Sequence, residues 1–154
     1  MVYGPCTAYP RWLEPRSVSE DDSLVTLPQY TVLVVEDDPS IRELLALTLE
    51  SEGYAVVEAH SGADALQVVE EHQTQDRPLD VMLLDLMLPD MDGLQVQQRL
   101  QAEGLRIPVI TMSASPTLLG EAMRQGAHIG LSKPFGLDEM LALVATYCPP
   151  PAST

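Results

Sequence analysis

The 154 residues contain a single lysine, Lys133, which ends a short apolar stretch directly before Pro134-Phe135. Three acids, Glu36-Asp37-Asp38, follow the apolar run Val32-Leu33-Val34-Val35, and Asp85 follows a second run, Val81-Met82-Leu83-Leu84. Carboxylates gathered at the ends of buried strands repel one another, and burying them unpaired is costly. A bound Mg²⁺ relieves that repulsion, because it takes carboxylate, backbone carbonyl and water oxygens. Asp37 and Asp85 are the expected direct ligands. Glu36 reaches the ion through water, and the backbone carbonyl of Met87 is a third protein ligand. A cation beside Asp85 attracts an anionic phosphoryl donor. Lys133 adds a second positive charge, and the Ser113 hydroxyl adds a hydrogen bond. Such a set carries out phosphoryl transfer by positioning and charge neutralisation, with a carboxylate as nucleophile and an aspartyl phosphate as product. Simpler readings exist for each residue alone. Asp38 suits helix capping and dipole compensation, Ser113 an ordinary strand end, and Lys133 the solvated surface.

The elements that must position these groups are legible from Thr31 onward. Thr31–Val35 is a continuous apolar run, as a strand covered on both faces requires. Asp38 and Pro39 suit an N-cap and a first helical position. Ile41, Leu44, Leu45, Thr48 and Leu49 follow at helical spacing until Gly53. Ala55–Glu58 is the second strand. Ser61-Gly62-Ala63-Asp64 has the form of a capping box, ahead of a helix with Ala65, Leu66 and Val69 on its apolar side. Asp80–Leu84 is the third strand, and Leu94–Glu103 a helix closed by Gly104. Ile107–Met112, a helix opened by Ser115-Pro116 and ending near Gly126, Ile129–Ser132 and the helix Leu137–Tyr147 complete the series. Strands alternating with helices imply an α/β fold: a single domain with a doubly wound, five-stranded parallel sheet and five helices. Ligands of such sheets gather at the carboxyl ends of the strands, near the switch in strand order. Glu36, Asp37, Asp85, Ser113 and Lys133 all fall at those ends.

Composition narrows the partners. The formal charge of −15 argues against nucleic acid or an anionic membrane surface. No apolar run reaches the length of a membrane span, and no signal pattern opens the chain. A cytoplasmic location is expected. Cys6 and Cys148 read as free thiols, with a bridge between the two ends as the lesser alternative. Residues 1–29, with four prolines, Trp12 and the patch Glu20-Asp21-Asp22, read as a flexible leader or linker, or as a segment docking through Trp12, Leu13 or Leu24. Residues 30–148 form the domain and residues 149–154 a tail begun by Pro149-Pro150-Pro151.

Residues 31 to about 147 resemble the receiver domain of two-component response regulators, the flavodoxin-like fold of CheY. The matching stretches are Val32-Leu33-Val34-Val35-Glu36-Asp37-Asp38, Asp80-Val81-Met82-Leu83-Leu84-Asp85-Leu86-Met87-Leu88-Pro89-Asp90-Met91-Asp92-Gly93, Pro108-Val109-Ile110-Thr111-Met112-Ser113-Ala114 and Lys133-Pro134-Phe135. The resemblance implies Asp85 as phosphoacceptor, Glu36 and Asp37 as the acidic Mg²⁺ pocket, Ser113 as the switch hydroxyl and Lys133 as the lysine that pairs with phosphate. It implies a cis Lys133–Pro134 peptide. The implied donor is a phosphohistidine on a sensor histidine kinase or phosphotransfer protein. The output is a conformational change or phosphorelay to a downstream protein, so the chain signals rather than turning over substrate as an enzyme.

Many receivers carry an aromatic residue three positions before the lysine, where this chain has Gly130. The final helix carries Asp138 and Glu139 but no Arg or Lys, unlike receivers that dimerise through this face with basic–acidic pairs. Within the receiver reading, the short C-terminal tail leaves no room for an output domain, and a receiver taken from a hybrid kinase is a variant of it. A Mg²⁺-dependent phosphatase of the haloacid-dehalogenase type is an alternative, but its Asp-x-Asp pair belongs after the first strand, and position 87 is Met. A nucleotide- or flavin-binding module would need a glycine-rich first turn in place of Glu36-Asp37-Asp38-Pro39. A receiver that never takes phosphate is disfavoured because every chemical position is filled.

Overall fold

The structure is a computed structural model that describes residues 30–150. The expectations for residues 1–29, for Cys6 and for the end of the tail lie outside the described residues. Five strands and five helices alternate: β1 Thr31–Val35, α1 Pro39–Ser51, β2 Ala55–Ala59, α2 Gly62–Thr74, β3 Val81–Asp85, α3 Gly93–Ala102, β4 Val109–Ser113, α4 Pro116–Arg124, β5 Ile129–Ser132 and α5 Leu137–Tyr147. All pairings are parallel, in the order β2-β1-β3-β4-β5. The α/β, doubly wound expectation therefore holds.

Strand periodicity sorts the apolar runs into two cores. Val32, Val34, Val81 and Leu83 enter one cluster, with Leu45 and Leu49 of α1 and Met140 and Val144 of α5. Leu33, Val35, Met82 and Leu84 point the other way, towards Ala65 and Val69 of α2 and Val96 and Leu100 of α3. Successive side chains on a strand take opposite faces, so a strand with a core on each side must be apolar throughout.

Several local expectations shift. β3 ends at Asp85, and β4 begins at Val109 rather than Ile107. Pro108 has no N–H to donate, and its carbonyl accepts from Met82. In α1 the buried residues are Leu45, Ala46 and Leu49, while Ile41 and Leu44 are largely exposed beside Leu47. Ser61 Oγ does accept from Asp64 N, but the Asp64 carboxylate takes the N–H of His60. The reciprocal capping box belongs to Asp92 and Gln95 at the start of α3.

The loop from β3 to α3 is pinned at two points. Asp90 accepts from the backbone N–H groups of Gly62 and Ala63, each at 2.9 Å, which supplements the Ser61 cap of α2. Gly93 passes so close to β3 that a Cβ there would sit 2.6 Å from the Asp85 carbonyl oxygen and 2.7 Å from Leu86 Cα. Only glycine allows that approach.

The N–H groups of Ala63 and Gly62 hold the Asp90 carboxyl below its ordinary value of 3.8. A lowered carboxyl pKa stabilises the fold above the unfolded value, and that contribution disappears as pH falls through the folded one. Asp90→Ala is expected to cost about 1 kcal/mol near neutrality, as for loss of a helix cap. It should also flatten the loss of stability below pH 3.8. Urea unfolding over a pH series checks both, and an acid limb identical to wild type would refute the assignment.

Candidate functional site

The strand order places the carboxyl ends of β1 and β3 side by side, with Val35 opposite Leu84, so Glu36 and Asp85 emerge as neighbours. β4 and β5 continue the rim, with Ser113 opposite Ser132. Lys133 then leaves β5 pointing inward. Its Nζ donates to Asp85 Oδ2 at 3.0 Å and to Glu36 Oε2 at 3.1 Å. The Lys133–Pro134 peptide is cis. The backbone N–H of Lys133 donates to the Ser113 carbonyl at 2.9 Å, which ties the lysine's base to β4.

Glu36, Asp37 and Asp85 each offer a carboxylate oxygen, all within 4.8 Å of one another. Glu36 and Asp85 are almost fully buried, whereas Asp37 is exposed. Burial, and next the Asp85 charge, push the Glu36 carboxyl up to about 7, against the opposing pull of Lys133. Burial disfavours the Lys133 charge, but hydrogen bonds and charges from Asp85 and Glu36 outweigh it and raise that pKa above its ordinary value. Three carboxylates face one ammonium, so the cluster keeps an excess of negative charge. An all-oxygen donor set with one solvent-facing member suits Mg²⁺, which retains part of its water shell.

The surrounding backbone orients these groups. Met87 N–H donates to Asp85 Oδ1 at 2.9 Å. Ser113 is buried at the end of β4, and its Oγ accepts from Ser115 N at 3.0 Å. Ser115 Oγ in turn caps α4 by accepting from Leu118 N. Asp38 caps α1, accepting from Ser40 and Ile41, as its sequence position suggested. All the expected site residues thus meet on one rim. Sequence reasoning missed Arg42, whose guanidinium donates to the Glu36 carbonyl at 2.8 Å and stands 3.4 Å from Glu58. The signal was present. Arg42 lies one turn past the cap, and helical side chains lean towards the N-terminus.

Residues 32–145 match the family model for the response regulator receiver domain. The chain belongs to this family. Among curated relatives, the receiver is 38% identical over 117 residues to a probable transcriptional regulatory protein of Picosynechococcus, covering 72% of this chain and 46% of that one. It is 38% identical over 113 residues to the response regulator MprA of Mycobacterium ulcerans, covering 72% and 47%. The chain spans about half the length of the curated relatives it matches. Among solved structures, the receiver domain of a Francisella response regulator superposes with a TM-score of 0.69 at 29% identity, covering 77% of this chain and 95% of that one. CheY of Borrelia burgdorferi, solved with CheX, beryllium trifluoride and Mg²⁺, gives a TM-score of 0.69 at 25% identity, covering 77% and 88%. The receiver is thus a signalling domain of two-component systems and not an enzyme of the ordinary kind, and the phosphatase reading is not favoured. Among the described residues, no helix is long and apolar enough to cross a membrane.

Removing Lys133 strands two buried carboxylates together. Breaking a buried pair costs roughly 3–5 kcal/mol, and the partial exposure of Lys133 places its loss at the lower end. Lys133→Met is expected to destabilise the domain by about 3 kcal/mol in chelator, with part of the loss recovered by millimolar Mg²⁺. Urea unfolding with and without Mg²⁺ measures both. Equal losses in the two conditions would mean that no cation answers the acidic cluster.

Proposed function

We propose that Asp85 receives a phosphoryl group from a phosphohistidine of a sensor histidine kinase or phosphotransfer protein. The supporting observation is the Lys133 ammonium, which bridges Asp85 and Glu36 at the junction of β1 and β3. An Asp85 oxygen attacks phosphorus, the O–P bond forms and the P–N bond breaks, and the imidazole leaves with the bonding pair. Formation of the acyl phosphate removes the Asp85 carboxylate charge, and Lys133 passes from the carboxylate to a phosphoryl oxygen. The Met87 N–H fixes the Asp85 rotamer. Glu36, Asp37, Asp85 and the Met87 carbonyl would hold Mg²⁺, which when bound neutralises charge on the incoming phosphoryl group. Later attack by water on the same phosphorus breaks the Asp85 O–P bond, releases inorganic phosphate and regenerates the Asp85 carboxylate. Residues 30–148 are the functional unit, flanked by a leader at 1–29 and a tail at 149–154. The setting is the cytoplasm, where the phosphorylated form acts on a downstream protein rather than on nucleic acid or membrane.

The output runs through α4. Position 130 is glycine, and the space above it is covered by Leu119 of α4, whose Cδ2 would lie 3.3 Å from a Cβ on Gly130. A Ser113 hydroxyl drawn to the phosphoryl group releases the Ser115 N–H. That event disturbs the cap of α4 directly, with no aromatic rotamer in between.

Incubation with acetyl phosphate and Mg²⁺ is expected to add the mass of one phosphoryl group, and Asp85→Ala to abolish the addition. An intact-mass spectrum retaining the label in the variant would move the acceptor elsewhere. Hydrogen exchange in residues 113–130 should accelerate on saturation with a beryllofluoride phosphate mimic. Unaltered exchange there, with the mimic demonstrably bound, would remove α4 from the output path.

A further inference from the structure

Of the three acids that converge at the rim, Asp37 has no partner of its own. Glu36 and Asp85 are both gripped by the Lys133 ammonium, and Asp85 also accepts the Met87 N–H. The Asp37 carboxylate is exposed, and no group among the described residues donates to it. It nevertheless brings an oxygen within 4.8 Å of those of Glu36 and Asp85. Its aim is therefore set by the backbone that carries it.

That backbone is clamped on both sides. The Glu36 carbonyl and the Asp37 N–H belong to one planar peptide unit, and Arg42 donates to that carbonyl at 2.8 Å. The next unit carries the Asp38 N–H, which donates to Glu36 Oε1 at 3.3 Å. With the peptide planes before and after Asp37 both held, the direction of its Cα–Cβ bond is held too. Arg42 is itself oriented. Its guanidinium divides its donors, one nitrogen meeting the Glu36 carbonyl while Nε stands 3.4 Å from the Glu58 carboxylate of β2. The Glu58 side chain is 47% exposed, so that ion pair adds little energy and serves to fix direction. A rigid fork with several donors suits such a double duty.

We propose that Arg42 is a positioning residue for the cation site. It holds the Glu36–Asp37 peptide so that the Asp37 carboxylate faces the oxygens of Glu36 and Asp85, and it thereby sets the affinity for Mg²⁺. This role rests on the reading of the rim as a Mg²⁺ site. Charge alone predicts the opposite effect. A guanidinium near an acidic cluster repels a divalent cation, so its removal would tighten Mg²⁺ binding if charge were what mattered. Loss of the clamp weakens binding, because the ion must then order a carboxylate that is free to swing.

The test is an amide NMR titration of the full chain with Mg²⁺, following residues 37, 85 and 87, with urea unfolding in chelator as a separate measure of the fold. Arg42→Met is expected to raise the Mg²⁺ dissociation constant roughly tenfold, as for loss of a partner that orients a metal ligand. Arg42→Lys keeps the charge but not the fork, and should bind Mg²⁺ roughly threefold more weakly than wild type. In an Asp37→Asn background, Arg42→Met should change the affinity by less than about twofold, because the group it aims is gone. Either arginine variant binding Mg²⁺ as tightly as wild type, or a full tenfold loss in the Asp37→Asn background, would overturn the role. A wild-type chain whose resonances Mg²⁺ leaves unshifted would overturn both the role and the cation site beneath it.

Discussion

Electrostatic repulsion at the carboxyl ends of β1 and β3 is the constraint on which the rest depends. Two buried carboxylates and one exposed one converge there. Desolvation strengthens their mutual repulsion, and Lys133 offsets only part of it. The rim is thus assembled with an unmet demand for positive charge. A divalent cation would answer that demand, and under the proposed function the same cation would make the place attractive to an anionic phosphoryl donor. The architecture serves this arrangement. Strand order makes β1 and β3 neighbours, two apolar cores hold their backbones rigid, and β5 carries the ammonium in from the side.

Rigidity around Asp85 comes from backbone more than from side-chain bulk. Gly93 lets the start of α3 press against the Asp85 carbonyl, and Asp90 ties the same loop to α2. A one-carbon addition at position 93 would push directly on the backbone of Asp85. The opposite character appears at α4. Its cap depends on Ser115, whose N–H is shared with Ser113, and its inner face rests on Gly130 through Leu119. Leu118, Leu119 and Ala122 of the same helix pack with Leu86, and Gln97 holds the Ala122 carbonyl.

Much of this was legible in the residue order, for identifiable reasons. Continuous apolar runs marked β1, β3 and β4 because both faces of those strands are covered. Asp38-Pro39 marked the start of α1 because capping chemistry is local. The missed features depend on groups distant in sequence. Ile41 and Leu44 looked like core by spacing, yet of that run the packing of α1 buries only Leu45 and Leu49, together with Ala46. Asp64 looked like half of a capping box, but its carboxylate turned to His60. Arg42 lies one turn past the Asp38 cap, which put it within reach of the Glu36 carbonyl, but the bond itself needs the loop already folded.

Sequence alone determined which residues carry charge, which segments are strands or helices, and which strand ends the acids, the hydroxyl and the lysine occupy. Those properties follow from side-chain type, periodicity and capping, all of which act over a few neighbouring residues. Tertiary structure decided that Lys133 reaches both Glu36 and Asp85, that Leu119 covers Gly130, and that Gln97 keeps an oxygen without a partner. These relations join positions far apart in the chain. Distance and burial between such positions exist only once the strands have taken their order and the helices have closed over both faces of the sheet.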